Sequence, residues 1–491
     1  MNMKKELLTA AVVGFGVSLL FGGTTATAKN VQKRMHDLFG GSAVDAMTGD
    51  ANVRTTSVSA QPHRPWDGKV DISFSFTSDL PEAFAFVNFK ASYRDKDGKT
   101  VEVPMKTFEQ FTTAFCATAG TYRVTWDASA DAPNVTAPKF KYTVAANMAK
   151  YMVVDLSKGV SATAADPYPV TYLEDCPDPK RADGGWTDEY KTTKMVFRLV
   201  QPGTYRKGWG TAWSNWNDFG PHDARITRPY YLAIFECTQG QAKQVMGKYF
   251  GLQQYEFKGS IRDRRPVACA CYHAWRGSNE QGICWPNTGS AVDPKSFIGV
   301  FREKTGGNAG FDLPTETEWE FAARAGDLDA WGGDGLTFKQ RCSEPAGPTG
   351  GKTNTVLNLK GRYKYNGGLV DNGDGTYSEP ALTDEKHGTA VVGSYRPNAW
   401  GFYDVLGNAR ELVLDYWGSM SRAATTDDTG PVVPAEKMSD RALLRPFRGG
   451  AYCEDAAVCS LVRRWIGSPA NYPITGARLC WRFPTPPQAA K

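Results

Sequence analysis

The stretch Pro397–Glu411, Pro-Asn-Ala-Trp-Gly-Phe-Tyr-Asp-Val-Leu-Gly-Asn-Ala-Arg-Glu, limits the folds open to this chain more than any other. Gly401 and Gly407 punctuate a run of large apolar side chains, and Asp404, Asn408 and Glu411 add polar groups to it. Such material makes neither a long helix nor a plain strand. It suits a buried, tightly turning loop that leads into a short helix. One reading has Asn408 capping that helix, with Glu411 folding back as its partner three residues on. The other has Asp404 and Glu411, with main-chain carbonyls freed at Gly407 and Ala409, gathering the oxygens that a hard cation such as calcium requires.

A second well-specified element is a helix within Leu313–Gly326. Thr315 caps it, Glu318 completes a capping box and Gly326 ends it. Trp319, Phe321 and Ala322 are expected to face a core, and Glu316, Glu320 and Arg324 to face water. Thr238 is similarly placed to cap a helix running through Ala242 to Met246. Upstream the period changes to two. Val70, Ile72, Phe74 and Phe76 alternate with polar residues, as do Val87, Phe89, Ala91 and Tyr93, then Tyr122, Val124 and Trp126, then Phe140, Tyr142 and Val144. Asp97-Gly98 supplies a hairpin turn. Short alternating strands over this span predict an all-β immunoglobulin-like sandwich, a spacer or adhesion unit with no chemistry of its own.

The start of the chain reads as an address. Lys4 and Lys5 precede an apolar run from Leu7 to Phe21, and Ala26-Thr27-Ala28 offers a cleavage site. The mature protein is expected to be extracytoplasmic (periplasmic, cell-surface or secreted), with no membrane span once the leader is removed. The domain plan is a signal peptide at 1–28, a linker or arm at 29–61, the sandwich at 62–148, a connecting segment at 149–191, a second domain at 192–485 and a tail at 486–491. With 57 basic and 52 acidic residues the net charge is +5, and nucleic acid is not an implied partner. Ten cysteines allow disulfides in an exported chain without defining a disulfide scaffold. With no Cys-x-x-Cys pair and five scattered histidines, a zinc site is not expected. Cys269 and Cys271 read as buried free thiols or thiols with separate partners. Asp371–Gly375 reads as a polar turn, because Gly373 and Gly375 break the alternating-ligand pattern of a calcium loop.

Three ordered blocks resemble the formylglycine-generating enzyme (sulfatase-modifying factor) family: Pro397–Glu411, Leu313–Gly326, and Arg448-Gly-Gly-Ala-Tyr452 with Gly476-Ala477-Arg478. That family has a C-type-lectin-like fold. The architecture implied is α+β, a C-type-lectin-like, formylglycine-generating-enzyme-like C-terminal domain behind the N-terminal all-β immunoglobulin-like sandwich. The resemblance places a calcium site on Asp404, Gly407, Ala409 and Glu411. In the enzymes, a copper-binding thiolate pair just after the Arg-Gly-Gly block oxidises a cysteine of a sulfatase, and Cys453 and Cys459 lie in that neighbourhood. Here five residues separate them where the enzymes have four, Ala451 replaces a serine, and Ser460-Leu461-Val462 replaces an Arg/Tyr-rich run. One extra residue in a strand-like segment turns the second thiol to the other face. Cys459 then reads as a core strand position, with Cys480 a candidate bridge partner.

Non-catalytic relatives of this fold display variable residues from the same region. Glu454, Asp455, Arg463, Trp465, Ile466, Tyr472 and Ile474 fall between the framework blocks, a mixture of the kind used at recognition hot spots. The favoured reading is a module that recognises a protein or glycan ligand. The alternative is a copper-dependent oxidase acting on a sulfatase through Cys453 and Cys459.

Overall fold

The computed structural model describes residues 53–64, 67–78, 85–109, 114–133, 140–147, 150–173, 175–178, 184–208, 222–278, 283, 285–286, 289–326, 356–418, 423–431, 444–456, 458–468 and 474–483. The leader, the C-terminal tail and Tyr472 lie outside the described residues.

The period-two segments form two antiparallel sheets. In one, β1 (Val53–Pro62) pairs with β2 (Lys69–Ser78), which pairs with β6 (Gly120–Asp127). In the other, β3 (Ala85–Arg94) pairs with β4 (Thr100–Pro104), β5 (Ala114–Ala117) and β7 (Lys141–Asn147). Successive side chains of a strand point to opposite faces. Accordingly Ile72, Phe74, Val87, Phe89, Val124 and Trp126, with their period-two neighbours, make one core. Trp126 is fully buried, and its indole N–H donates to Asp131 at 2.7 Å, so its polar edge is satisfied. Gly98, at φ +79°, turns the β3–β4 hairpin where Asp97-Gly98 is expected to. The expected arm at 29–61 is corrected at its end, because Val53–Pro62 is a strand of this region.

The second domain is built on a six-stranded sheet in the order β14 (Phe311–Asp312), β22 (Cys480–Arg482), β13 (Tyr230–Ala233), β10 (Lys194–Val200), β8 (Tyr151–Asp155), β9 (Val170–Leu173). The expected connecting segment 149–191 therefore contributes two strands of this sheet. Its residues alternate between two cores: Met152, Val154, Met195, Phe197 and Leu199 in one, Tyr151, Val153, Val196 and Val200 in the other. A sheet covered on both faces needs apolar residues at every position, which is why Tyr151–Val154 is an unbroken apolar run.

Smaller elements surround it. β11 (Gly203–Lys207), β12 (His222–Ile226) and β18 (Thr425–Thr426) form one sheet, and β15 (Val370–Asp371) with β16 (Tyr377–Ser378) forms a hairpin closed by the polar turn. A four-stranded sheet runs β20 (Trp465–Gly467), β19 (Arg445–Arg448), β17 (Arg410–Leu412), β21 (Thr475–Gly476).

The helix Glu316–Arg324 has its expected capping box, Thr315 with Glu318, and ends on left-handed Ala325 and Gly326. Thr238 caps Gln239–Met246 through a box with Gln241. Trp319, Phe321 and Ala322 are buried as expected. Glu316, Glu320 and Arg324 are not solvated; each is buried, in an ionic cluster described below. Among the described residues no helix is long and apolar enough to cross a membrane.

Candidate functional site

The Pro397–Glu411 stretch is a buried turning loop, and it ends in a strand instead of a helix. Asn398 opens it. Its side-chain oxygen accepts the N–H groups of Trp400 and Phe402, and its amide donates to the carbonyls of Ala322 and Ala323, each at 2.9 Å. This fixes the loop to the last turn of the Thr315-capped helix. Asp404, Gly407 and Asn408 all adopt left-handed backbone, which folds the chain tightly around buried Val405 and Leu406. Asn408 does not cap a helix. Its side chain accepts the Ala390 N–H at 2.8 Å and donates to Glu236, while the Ala409 N–H donates to the other oxygen of Glu236 at 2.8 Å.

Glu411 on β17 is fully buried against Arg478. Nε donates to Oε2 at 2.6 Å and an Nη to Oε1 at 2.7 Å, and the Trp319 indole donates to Oε2 at 2.7 Å. Those bonds use most of the lone-pair positions a carboxylate offers. Asp404 is held differently. The Gly393 N–H donates to Oδ2 at 2.7 Å, Oδ1 is buried without a partner, and burial pushes the carboxyl up to about 6. With a guanidinium seated on Glu411, the set Asp404, Gly407, Ala409 and Glu411 does not fit calcium, which gathers about 6–8 available oxygens. Among the described residues no three His, Cys, Asp or Glu side chains converge as a metal-binding group. Arg478 supplies the positive charge beside Glu411.

Alternation along β17 and β19 separates two chemistries. Glu411 pairs in register with Arg448, and Leu412 with Phe447, which in turn pairs with Trp465. Arg448 faces the helix, donating to Glu316 at 3.0 Å and Glu320 at 2.6 Å, and also to the carbonyls of Leu461 and Val462. Arg464 donates to Glu316 at 2.6 Å and Arg324 to Glu320 at 2.8 Å. Burial opposes ionisation of Glu316, but Arg464, Arg448 and Lys207 outweigh it and hold the carboxyl down at about 2. Arg448 and Arg464 thereby fasten both ends of the 451–464 loop to the helix.

The described residues of that loop, 451–456 and 458–464, make turns and no strand, which corrects the expected alternation. Cys459 and Leu461 are nonetheless both fully buried. A Cβ on Gly450 would lie 2.8 Å from the Cys459 sulfur, so the thiol is packed directly against the Arg-Gly-Gly turn. Cys459 contacts the Ala451 carbonyl at 3.6 Å and Cys480 contacts the Leu313 carbonyl at 3.2 Å. Both thiols are free, so the suggested Cys459–Cys480 bridge is absent. Burial, then the Glu454 and Glu379 carboxylates, pushes the half-buried Cys453 thiol up to about 12. Burial first, then Glu454, raises Cys459 well above the usual thiol range. Copper(I) needs accessible thiolates. Cys459 is sealed against the Arg-Gly-Gly turn and both thiols stand near the Glu454 carboxylate, which disfavours a thiolate pair at this position.

The other side of the sheet carries the expected recognition residues. Arg410 pairs with Glu454 through two hydrogen bonds, and its guanidinium lies 5.0 Å from the centre of the Trp465 ring. Arg463 lies 4.6 Å from the same ring. The Arg410 N–H donates to the carbonyl of Ile474, a residue held at φ +75°, and Ile466 is exposed. Asp455 stands at the edge, 3.4 Å from Lys364. Glu454, Arg463, Trp465 and the Ile474 backbone thus meet around Arg410, with Asp455 and Ile466 peripheral. Sequence reasoning missed Arg410 and Lys364. The signal for Arg410 was the cation at Ala409-Arg410-Glu411, a charge that a period-two reading of those residues places opposite Glu411.

A double-covered antiparallel sheet with short capped helices, joined by Arg-Gly-Gly and Gly-Ala-Arg blocks, defines an α+β domain of the formylglycine-generating-enzyme type. The chain belongs to that family: the sulfatase-modifying factor enzyme 1-like domain matches residues 186–482. It is similar to the formylglycine-generating enzyme of Streptomyces coelicolor, 30% identical over 155 residues that cover 30% of this chain and 38% of that enzyme. The enzyme of Thermomonospora curvata is 28% identical over 168 residues, 32% of this chain and 43% of that one. The chain therefore spans less than half the length of these relatives. Among solved structures, Treponema denticola variable protein 1 aligns with a TM-score of 0.40 at 20% identity, covering 59% of this chain and 96% of that one. PvdO from Pseudomonas aeruginosa aligns with a TM-score of 0.37 at 16% identity, covering 59% and 94%.

Proposed function

We propose that this protein is an exported, non-catalytic recognition module that binds a protein ligand through the face centred on Trp465. The observation that carries the reading is the Arg410–Trp465–Arg463 arrangement. An indole is flanked by two guanidiniums, one of them neutralised by Glu454, on a loop fastened from beneath by Arg448 and Arg464. Aromatic and arginine side chains preorganised in this way are typical interface anchors. The immunoglobulin-like sandwich serves as a spacer that carries this face away from its attachment. Oxidation of a sulfatase cysteine is the weaker reading, because it asks Cys459, a thiol sealed against the Arg-Gly-Gly turn, to act as a copper ligand.

The test has two arms on the full mature chain. Immobilised protein is screened against arrayed extracellular proteins, comparing wild type with Trp465→Ala at matched melting temperature. The expected result is a ligand whose signal falls at least ~10-fold in the variant, as loss of a hot spot requires. In parallel, copper(I)-loaded protein is incubated with a sulfatase peptide containing the target cysteine, and formylglycine is sought by mass spectrometry. Conversion of the peptide that disappears in Cys453→Ser would sink the recognition reading and establish the oxidase.

A further inference from the structure

At the start of the Thr315-capped helix lies a cleft of about 220 Å³, none of whose lining residues belongs to the Trp465 face. Trp285 and Phe483 give it aromatic surface, and Arg228, Arg482, Glu318, Asp427 and Asp428 give it charged groups, Arg228 donating to the Phe483 carbonyl at 3.1 Å. Arg482, Glu318 and Asp428 are already paired with opposite charges, and Asp427 and Arg228 with neutral groups. Arg482 donates Nε to Glu318 at 2.8 Å, adds a second, shorter bond to the other oxygen, and donates to the Leu313 carbonyl at 3.0 Å. Asp428 accepts from Lys207 at 3.1 Å. Asp427 accepts from both the main-chain N–H and the hydroxyl of Thr227. The Trp285 indole N–H is tied to the Thr429 carbonyl at 3.1 Å, which fixes the ring. Asp427 is held at φ +47°, a costly conformation for a residue other than glycine and one that collects at binding sites.

The pairing selects the ligand class. An anionic ligand entering the cleft would lose its hydration, find the Arg482 guanidinium already engaged by Glu318, and face the carboxylates of Asp427 and Asp428. A neutral ligand with several hydroxyls has no such penalty. Each hydroxyl both donates and accepts, so one group can bridge a guanidinium edge and a carboxylate without breaking their pair. The aromatic surface asks the same ligand for an apolar ring face. We infer that this cleft binds a neutral sugar ring, the terminal residue of a glycan, independently of the protein ligand proposed for the Trp465 face.

The test uses the full mature chain and the methyl glycosides of glucose, galactose, mannose and N-acetylglucosamine, with glucuronic acid as the charged comparison. Binding is read by saturation-transfer difference NMR and by calorimetry. At least one neutral glycoside is expected to bind saturably and more tightly than glucuronic acid. Asp427→Asn, which tolerates the left-handed backbone, and Trp285→Leu should each weaken it at least ~10-fold, the scale of one lost hydrogen bond to a charged group or one lost stacking contact. Trp465→Ala should leave it unchanged, which separates this site from the protein-binding face. Should Trp285→Leu fail to fold, Asp427→Asn carries the test alone. The inference is overturned if no neutral glycoside binds saturably, if glucuronic acid binds more tightly, or if a folded Asp427→Asn binds as wild type.

Discussion

Arg478 joins three parts of the second domain with one side chain. Besides its two bonds to Glu411, it donates to the main-chain carbonyls of Tyr403 in the turning loop and of Ala233 and Ile234 at the end of β13. Removing it leaves a buried carboxylate without a counterion. Arg478→Gln is therefore expected to cost about 3–5 kcal/mol, read from the urea midpoint. The same geometry sets an expectation for metal removal: EDTA should not move the melting temperature. A drop in melting temperature that calcium restores would show that a metal, and not Arg478, balances Glu411. Asp415 gives a pH dependence. Burial, then the Glu316 carboxylate, pushes its carboxyl up to about 7, and Oδ1 has no partner while Oδ2 accepts the Glu316 N–H at 2.7 Å. Its usual value is 3.8, so between those values the folded state holds a proton that the unfolded chain releases. Stability from this group is present at low pH and lost as pH rises through about 7. Asp415→Asn keeps an acceptor for Glu316 and cannot ionise. It should match wild type near pH 4 and exceed it by on the order of 2 kcal/mol at pH 8. An equal deficit at both pH values would contradict this account.

At the scale of elements, locally determined structure was the readable part. The Thr315 capping box needs only residues three apart, so its presence could be derived before any packing was known. Thr315→Ala is expected to cost about 1 kcal/mol in thermal unfolding. The face of that helix bearing Glu316, Glu320 and Arg324 was assigned correctly as a set, but its environment was not. The periodicity places those three together, yet nothing local announces that Arg448 and Arg464 return from far along the chain to cover them. The same limit applies to Arg410–Leu412. Three residues carry too little pattern to reveal a strand, and this one exists because Arg448 and Thr475–Gly476 flank it. Of the proposed recognition residues, Glu454, Arg463 and Trp465 were legible as chemistry, but their hub, Arg410, belongs to a different block and was visible only once the sheet was assembled.

The whole molecule has separable cores. The buried apolar residues of 70–146 cluster with one another, and those of 151–483 form two further clusters on either face of the six-stranded sheet. Calorimetry of the full chain should accordingly show two transitions. Trp126→Ala, which empties the centre of the sandwich core, should lower only one of them, by about 3–5 kcal/mol. A single transition displaced as a unit would indicate that the two regions unfold together. The order of strands has a consequence for how the domain is made. β22 lies between β13 and β14, although β22 is the last of the three to be synthesised. While a nascent chain is still short of Cys480–Arg482, β13 and β14 lack their common neighbour and Glu411 has no Arg478 if synthesis stops before Gly476. A reading-frame error in that final stretch would therefore cost the cell the whole second domain, leaving apolar sheet surface for proteases and chaperones to find.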